Sequence, residues 1–140
     1  MTFRPAKTKG DSIMGLTHVA VRLRDFGSDE FYTANFLVDT GAMDAFAPAS
    51  ELRRVGIRPV GKKVYELANG ELVAYEYGLA EISFLGELTA GEIVFGPEGT
   101  EPILGVIALE HAGLLVDAKN GTLIKLAARP LKTRRIKLVA

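Results

Sequence analysis

Phe36-Leu37-Val38-Asp39-Thr40-Gly41-Ala42 is the stretch on which the reading of this chain turns. An apolar run with strand character passes directly into Asp-Thr-Gly, so a single carboxylate is set at the end of a stiff element. Asp and Gly are also ordinary turn residues, and a plain turn after a strand is the simpler account of the triplet taken alone. The triplet occurs once in 140 residues, with no Asp-Ser-Gly elsewhere.

Outward from this loop the pattern is mostly of period two. Thr17 to Arg24 places Val19, Val21 and Leu23 on one face of a half-buried strand. Asp25 to Glu30 reads as its turn, and Phe31 to Val38 returns as the next strand. Val64 to Leu67 and Glu71 to Tyr77 flank Asn69-Gly70, a strong hairpin signal. Leu79 to Leu88 and Glu92 to Phe95 read as further strands, each closed by a glycine turn. Pro48 to Gly56, with proline near its start and glycine past its end, predicts a short helix, and Val106 to Gly113 predicts another. Leu114 to Asp117 and Thr122 to Leu126 around Lys119-Asn120-Gly121 make a final hairpin. The expected fold is mainly β, a small closed barrel that protects its many short strands, with two short helices.

Composition narrows the function classes. At 48% hydrophobic and 24% charged residues the chain is of ordinary globular type. Lysine plus arginine equals aspartate plus glutamate at 17 each, which gives no global electrostatic case for nucleic acid or an anionic membrane. The absence of cysteine excludes disulfides, thiolate metal sites and cysteine nucleophiles, and His18 and His111 do not suggest a metal site. Met1 to Ser12 lacks a signal-peptide core, and no run approaches the roughly 18 apolar residues of a membrane span, so a cytoplasmic protein is the default expectation. Residues 1–15 form a basic leader expected to be flexible, 16–127 the folded domain, and 128–140 a basic tail. That tail is expected to be a solvated, partly frayed terminus, the alternatives being a basic contact to nucleic acid or lipid and a short strand through Leu138 and Val139 at a subunit boundary.

Three motifs in order resemble the retropepsin-like aspartic proteases, the single-domain relatives of retroviral proteases, over about Leu16 to Leu126. They are the Asp39-Thr40-Gly41 loop, the hairpin at Ala68-Asn69-Gly70 where the family has its flap, and Pro102-Ile103-Leu104-Gly105 leading into a helix. Gly91 to Pro97 is similar to the strand and turn before that last signature. The resemblance implies an acid-protease barrel and an endopeptidase that needs neither metal nor cofactor. Asp39 is then the catalytic carboxylate. Thr40 locks the loop to its opposite number, Gly41 offers a close backbone approach, and Ala42 completes the loop. Ala68, Asn69, Gly70 and Ile103 are expected to contact substrate, and Leu104 and Gly105 to pack beneath the loop.

In such proteases two facing aspartates share a proton, so that one activates water while the other polarises the scissile carbonyl. One Asp39 per chain therefore implies a homodimer with a peptide or protein substrate, and no nucleic-acid or membrane partner. The alternative is a module that keeps the fold for dimerisation or peptide binding with little or no cleavage. Departures from the viral pattern fall at Met43 and Val106, which stand where an aspartate and an arginine often pair. Both are apolar and are expected to pack together. Asp44 is expected to be solvated or capping, with a substrate contact as the alternative, His18 to be at the surface, and His111 to favour a helix C-terminus. Tyr65, Tyr75 and Tyr77 are expected as sheet or rim aromatics, with Tyr65 or Tyr75 alternatively lining the cleft under the flap.

Overall fold

Alternating burial shapes the first strands of the computed structural model, which describes residues 2–3, 17–117 and 119–128. After β1 (Thr2–Phe3) come β2 (Thr17–Arg24) and β3 (Tyr32–Val38), antiparallel partners in register from Thr17 opposite Val38 to Leu23 opposite Tyr32. Val19, Val21, Leu23, Phe36 and Val38 turn inward, and the residues between them turn out or stand half-buried. The chain continues through β4 (Ala45–Pro48), α1 (Ala49–Arg54), β5 (Pro59–Glu66), β6 (Leu72–Phe84) and β7 (Glu87–Gly96). It ends with β8 (Ile103–Leu104), α2 (Val106–His111), β9 (Leu114–Asp117) and β10 (Thr122–Lys125).

The larger sheet has seven strands in the order β2-β3-β8-β4-β7-β6-β5. β2 also pairs with β6, through Arg22–Ser83, Leu23–Ile82 and Arg24–Glu81, so six strands close into a ring and β5 stays outside it, paired only with β6. Leu23 and Ile82 are buried at that seam, and an Arg24–Glu81 ion pair lies beside them. The interior holds inward residues of every ring strand, capped by Leu52, Val55 and Ile57 at one helix and Ala108, Leu109 and Ala112 at the other. A smaller sheet, β1-β10-β9, is not hydrogen-bonded into the larger one, but Leu114 and Leu123 from it join the same core. The chain beyond Ala128, including Leu138 and Val139, lies outside the described residues.

The ends of β6 and β7 differ from the sequence expectation. Leu79 to Leu88 is not one strand: β6 stops at Phe84, and Leu85-Gly86 forms a two-residue hairpin to Glu87. Both turn residues have positive φ, 51° and 76°, the signature of the type I′ turn that matches strand twist. Leucine is unfavourable there, and it is held because Leu85 packs against the core. β7 then runs on through Gly91 to Gly96. The short β4 was not expected either, because Ala45-Phe46-Ala47-Pro48 carries no β-branched residue.

α1 has no side-chain cap from Pro48. Glu98, from the turn after β7, supplies one: its carboxylate accepts from the Ser50 backbone N–H at 2.9 Å and the Ser50 hydroxyl at 2.6 Å. The Ser50 hydroxyl bond is the main reason the Glu98 carboxyl sits below the ordinary glutamate range, and the backbone bond adds to it. A depressed folded pKa stabilises above the unfolded value and is lost as the pH falls through the folded one. Glu98→Gln is expected to unfold at lower denaturant than the native chain at pH 7. The gap should close as the pH drops below the carboxylate range, which urea titrations across pH 3–7 would read.

Candidate active site

Asp39 stands immediately beyond β3, where the backbone is held on both sides. Leu37 N–H donates to the Pro102 carbonyl at 2.9 Å and Asp39 N–H to the Leu104 carbonyl at 3.2 Å, which continues the parallel pairing of β3 with β8. The loop then turns tightly, with Ala42 N–H on the Asp39 carbonyl at 3.1 Å. Gly41 N–H donates to Asp39 Oδ1 at 2.8 Å, so the carboxylate is oriented by its own loop. Asp39 and Ala42 are half-buried, and Thr40 and Gly41 are exposed in the single chain.

The second half of the loop is pinned by α2. Val106 N–H donates to the Ala42 carbonyl at 2.9 Å and Ile107 N–H to the Met43 carbonyl at 3.2 Å. These are N–H groups that a helix start leaves without an internal partner, and the helix has no side-chain cap. Contact this close requires Gly105: a Cβ there would lie 2.5 Å from both the Met43 and the Asp44 carbonyl oxygens. Leu104 is fully buried and Ile103 half-buried, the latter opposite Leu37 on one side and Phe46 on the other. The row Leu37, Ile103, Phe46 thus lies on the face of the ring that turns away from the core, next to Asp39.

The β5–β6 hairpin reaches away from the ring. Its tip is closed by Leu67 N–H on the Glu71 carbonyl at 2.7 Å and Gly70 N–H on the Leu67 carbonyl at 2.8 Å. Gly70 has φ 85°, and Asn69 Oδ1 accepts from Glu71 N–H at 2.9 Å. Asn69-Gly70 therefore occupies a three-residue loop with glycine in the left-handed position. Ala68, Asn69 and Gly70 are all exposed, and their bonds run within the hairpin. The structure brings together Asp39, Gly41, Ala42, Ile103, Leu104 and Gly105, and holds the tip residues in a separate element.

The middle of the hairpin makes contacts that sequence reading missed. Tyr65 hydroxyl donates to Asp44 Oδ2 at 2.8 Å, and Lys63 Nζ lies 3.6 Å from Asp44 Oδ1 and 2.5 Å from Glu92 Oε1. Asp44 is neither solvated nor a helix cap: its side chain is only 13% exposed. Phe46, Tyr65 and Tyr75 pack ring to ring at centroid distances of 5.4, 6.2 and 6.0 Å. Burial first, then the bond to Asp44, holds the Tyr65 phenol well above its ordinary range. Lys63 and Tyr65 lie two residues apart on one face of β5, but nothing local in the sequence indicates that Asp44 faces them. Met43 also departs from expectation: it is 69% exposed and is not buried against Val106. His18 is exposed beside Glu101, and His111 is exposed at the end of α2. No group of side chains able to hold a metal ion occurs among the described residues. Nor is any helix among them long and apolar enough to cross a membrane.

A family model described as aspartyl protease matches residues 19–115, more than half of the chain, from β2 to β9. The chain belongs to the aspartyl protease family. No curated protein matches significantly. Among solved structures, the EIAV protease complexed with the inhibitor HBY-793 is similar at 20% identity and a TM-score of 0.49, over 74% of this chain and 92% of that one. A retropepsin-like aspartic protease from Rickettsia conorii is similar at 18% identity and a TM-score of 0.49, over 88% and 95%. In this member of the family the single Asp-Thr-Gly of the chain stands at the end of β3.

Gly105→Ala is expected to destabilise the fold by about 2–3 kcal/mol, because the backbone carbonyls it meets cannot swing away as a side chain can. A urea unfolding midpoint gives that value. Gly86→Ala is the comparison: it adds a Cβ in open space and costs only the strain of its positive φ.

Proposed function

We propose that this chain is one half of an aspartic endopeptidase, completed when two copies bring Asp39 and its counterpart together across a two-fold axis. One observation carries the reading. A single Asp-Thr-Gly carboxylate per chain is fixed by backbone bonds from β8 and α2, yet remains half-exposed at the edge of the ring. An isologous contact at that edge supplies the second carboxylate, because each copy presents the same loop to the other. Thr40 and Gly41, exposed in the single chain, are the loop residues available to the partner and to substrate.

The chemistry follows from the pair. Two carboxylates at close range do not both ionise readily, the behaviour for which aspartic proteases are the standard case. The ionised member takes a proton from a bound water as its oxygen attacks the scissile carbonyl carbon. The protonated member gives its proton to the carbonyl oxygen, forming a neutral tetrahedral diol. Collapse of the diol returns a proton to the amide nitrogen, breaks the C–N bond and leaves an acid and an amine. No covalent acyl-enzyme forms, and no metal or cofactor enters.

The peptide is held extended, as an added strand between the exposed hairpin and the apolar row Leu37, Ile103 and Phe46. Ala68, Asn69 and Gly70 offer backbone groups from above, and Ile103 meets side chains from below.

Casein or a peptide library should be cleaved by the native chain, and Asp39→Asn should lower the rate on the order of a thousand-fold. Cleavage that persists in the variant removes Asp39 from the chemistry. Sedimentation at assay concentration is expected to show a dimer for both proteins. A strict monomer that still cleaves excludes the shared dyad.

A further inference from the structure

The β5–β6 hairpin is held differently at its base, its middle and its tip. At the base, β5 is bulged between Pro59 and Gly61, opposite Gly78 and Tyr77. The strands are pressed together there. A Cβ on Gly61 would lie 2.8 Å from the Tyr77 ring, and one on Gly78 would lie 2.6 Å from the Arg58 carbonyl oxygen. Bulged, glycine-bearing strand is where a hairpin bends. At the tip, residues 67–71 bond only among themselves in the contacts described above. Between base and tip, Lys63 and Tyr65 face inward while Val64 faces out, 66% exposed.

We propose that Asp44 is a latch for this hairpin: its carboxylate, gripped by the Tyr65 hydroxyl and the Lys63 ammonium, fixes the flap's closed position against the glycine hinge below. Asp44 directly follows Met43, whose carbonyl is pinned by the Ile107 N–H. The fixed end of the latch therefore belongs to the same loop as Asp39, and flap height is referenced to the carboxylate. The ring contacts of Phe46, Tyr65 and Tyr75 tolerate sliding, since aromatic pairs are favourable over a range of offsets. A hydrogen bond to a carboxylate is directional and is lost once the groups part, so it gives the hairpin two positions. Glu92 holds Lys63 at 2.5 Å and keeps the ammonium at the latch when the phenol lets go. Tyr65 and Asp44 are positioning residues in this account, since neither needs to touch the scissile bond.

The consequence for catalysis rests on the endopeptidase reading, whereas the latch is a property of the free chain. Amide hydrogen exchange, followed by mass spectrometry on full-length native protein, Tyr65→Phe and Asp44→Asn, separates the two. Both variants should exchange faster over residues 61–66 and 72–76, on the order of ten-fold, with β2 and β3 unchanged. In peptide cleavage, Tyr65→Phe should raise KM on the order of ten-fold with kcat within about two-fold, since only the closed population has changed. Unchanged exchange in the hairpin overturns the latch, as does faster exchange spread evenly over the ring. A fall in kcat at constant KM also overturns it, because the hydroxyl would then act in the chemistry. If the native protein cleaves nothing while the hairpin responds, the latch stands and the endopeptidase reading fails.

Discussion

Backbone contact between the segment Pro102–Ile107 and the loop after β3 is the constraint from which the rest of the molecule follows. β3 and β4 do not pair directly; β8 lies between them and bonds to both. On one side of Gly105, carbonyls of Pro102 and Leu104 accept from Leu37 and Asp39. On the other side, N–H groups of Val106 and Ile107 donate to Ala42 and Met43. The loop is therefore fixed by groups that must be satisfied anyway, the last of a short strand and the first of a helix. Glycine at the crossing is the condition for that approach, and the same bonds tie β3 to β8 and fix the backbone that carries the carboxylate.

Rigidity is unequally distributed around this centre. Ring strands carry buried side chains on alternate positions and are closed at the β2–β6 seam, so their geometry is over-determined. The first half of β6 and all of β5 lack buried residues before Gly78, and are held by polar and aromatic contacts at the level of Asp44. A fixed carboxylate beside a hairpin with little buried surface suits the proposed cleft: the reacting group is pre-positioned, and few packed contacts oppose movement of the covering element. A single chain supplies one fixed carboxylate and one hairpin, which is why the functional unit is proposed to be a pair.

How much of this was legible can be followed residue by residue. The alternation of Val19, Val21 and Leu23, the glycine-stopped helices and the Asn69-Gly70 hairpin were visible because each rests on interactions within a few residues. The Leu85-Gly86 turn was not, since leucine in a left-handed conformation is a tertiary effect, held by core packing against its local preference. β4 was invisible for a related reason. Its alanines have little strand propensity, and they form a strand because β7 and β8 supply partners on either side. Asp44 was misread because its partners Lys63 and Tyr65 lie about twenty residues away and reach it only through the fold.

The sequence by itself determined that one Asp-Thr-Gly carboxylate per chain sits at the end of an apolar strand, and that a mainly β domain carries it. Both follow from residue type, count and period. Only the tertiary structure decided what holds that carboxylate and what holds the β5–β6 hairpin. Gly105 between two carbonyls, α2 N–H groups on the loop, and the Tyr65–Asp44 bond all join segments distant in the chain, and no local pattern encodes such contacts.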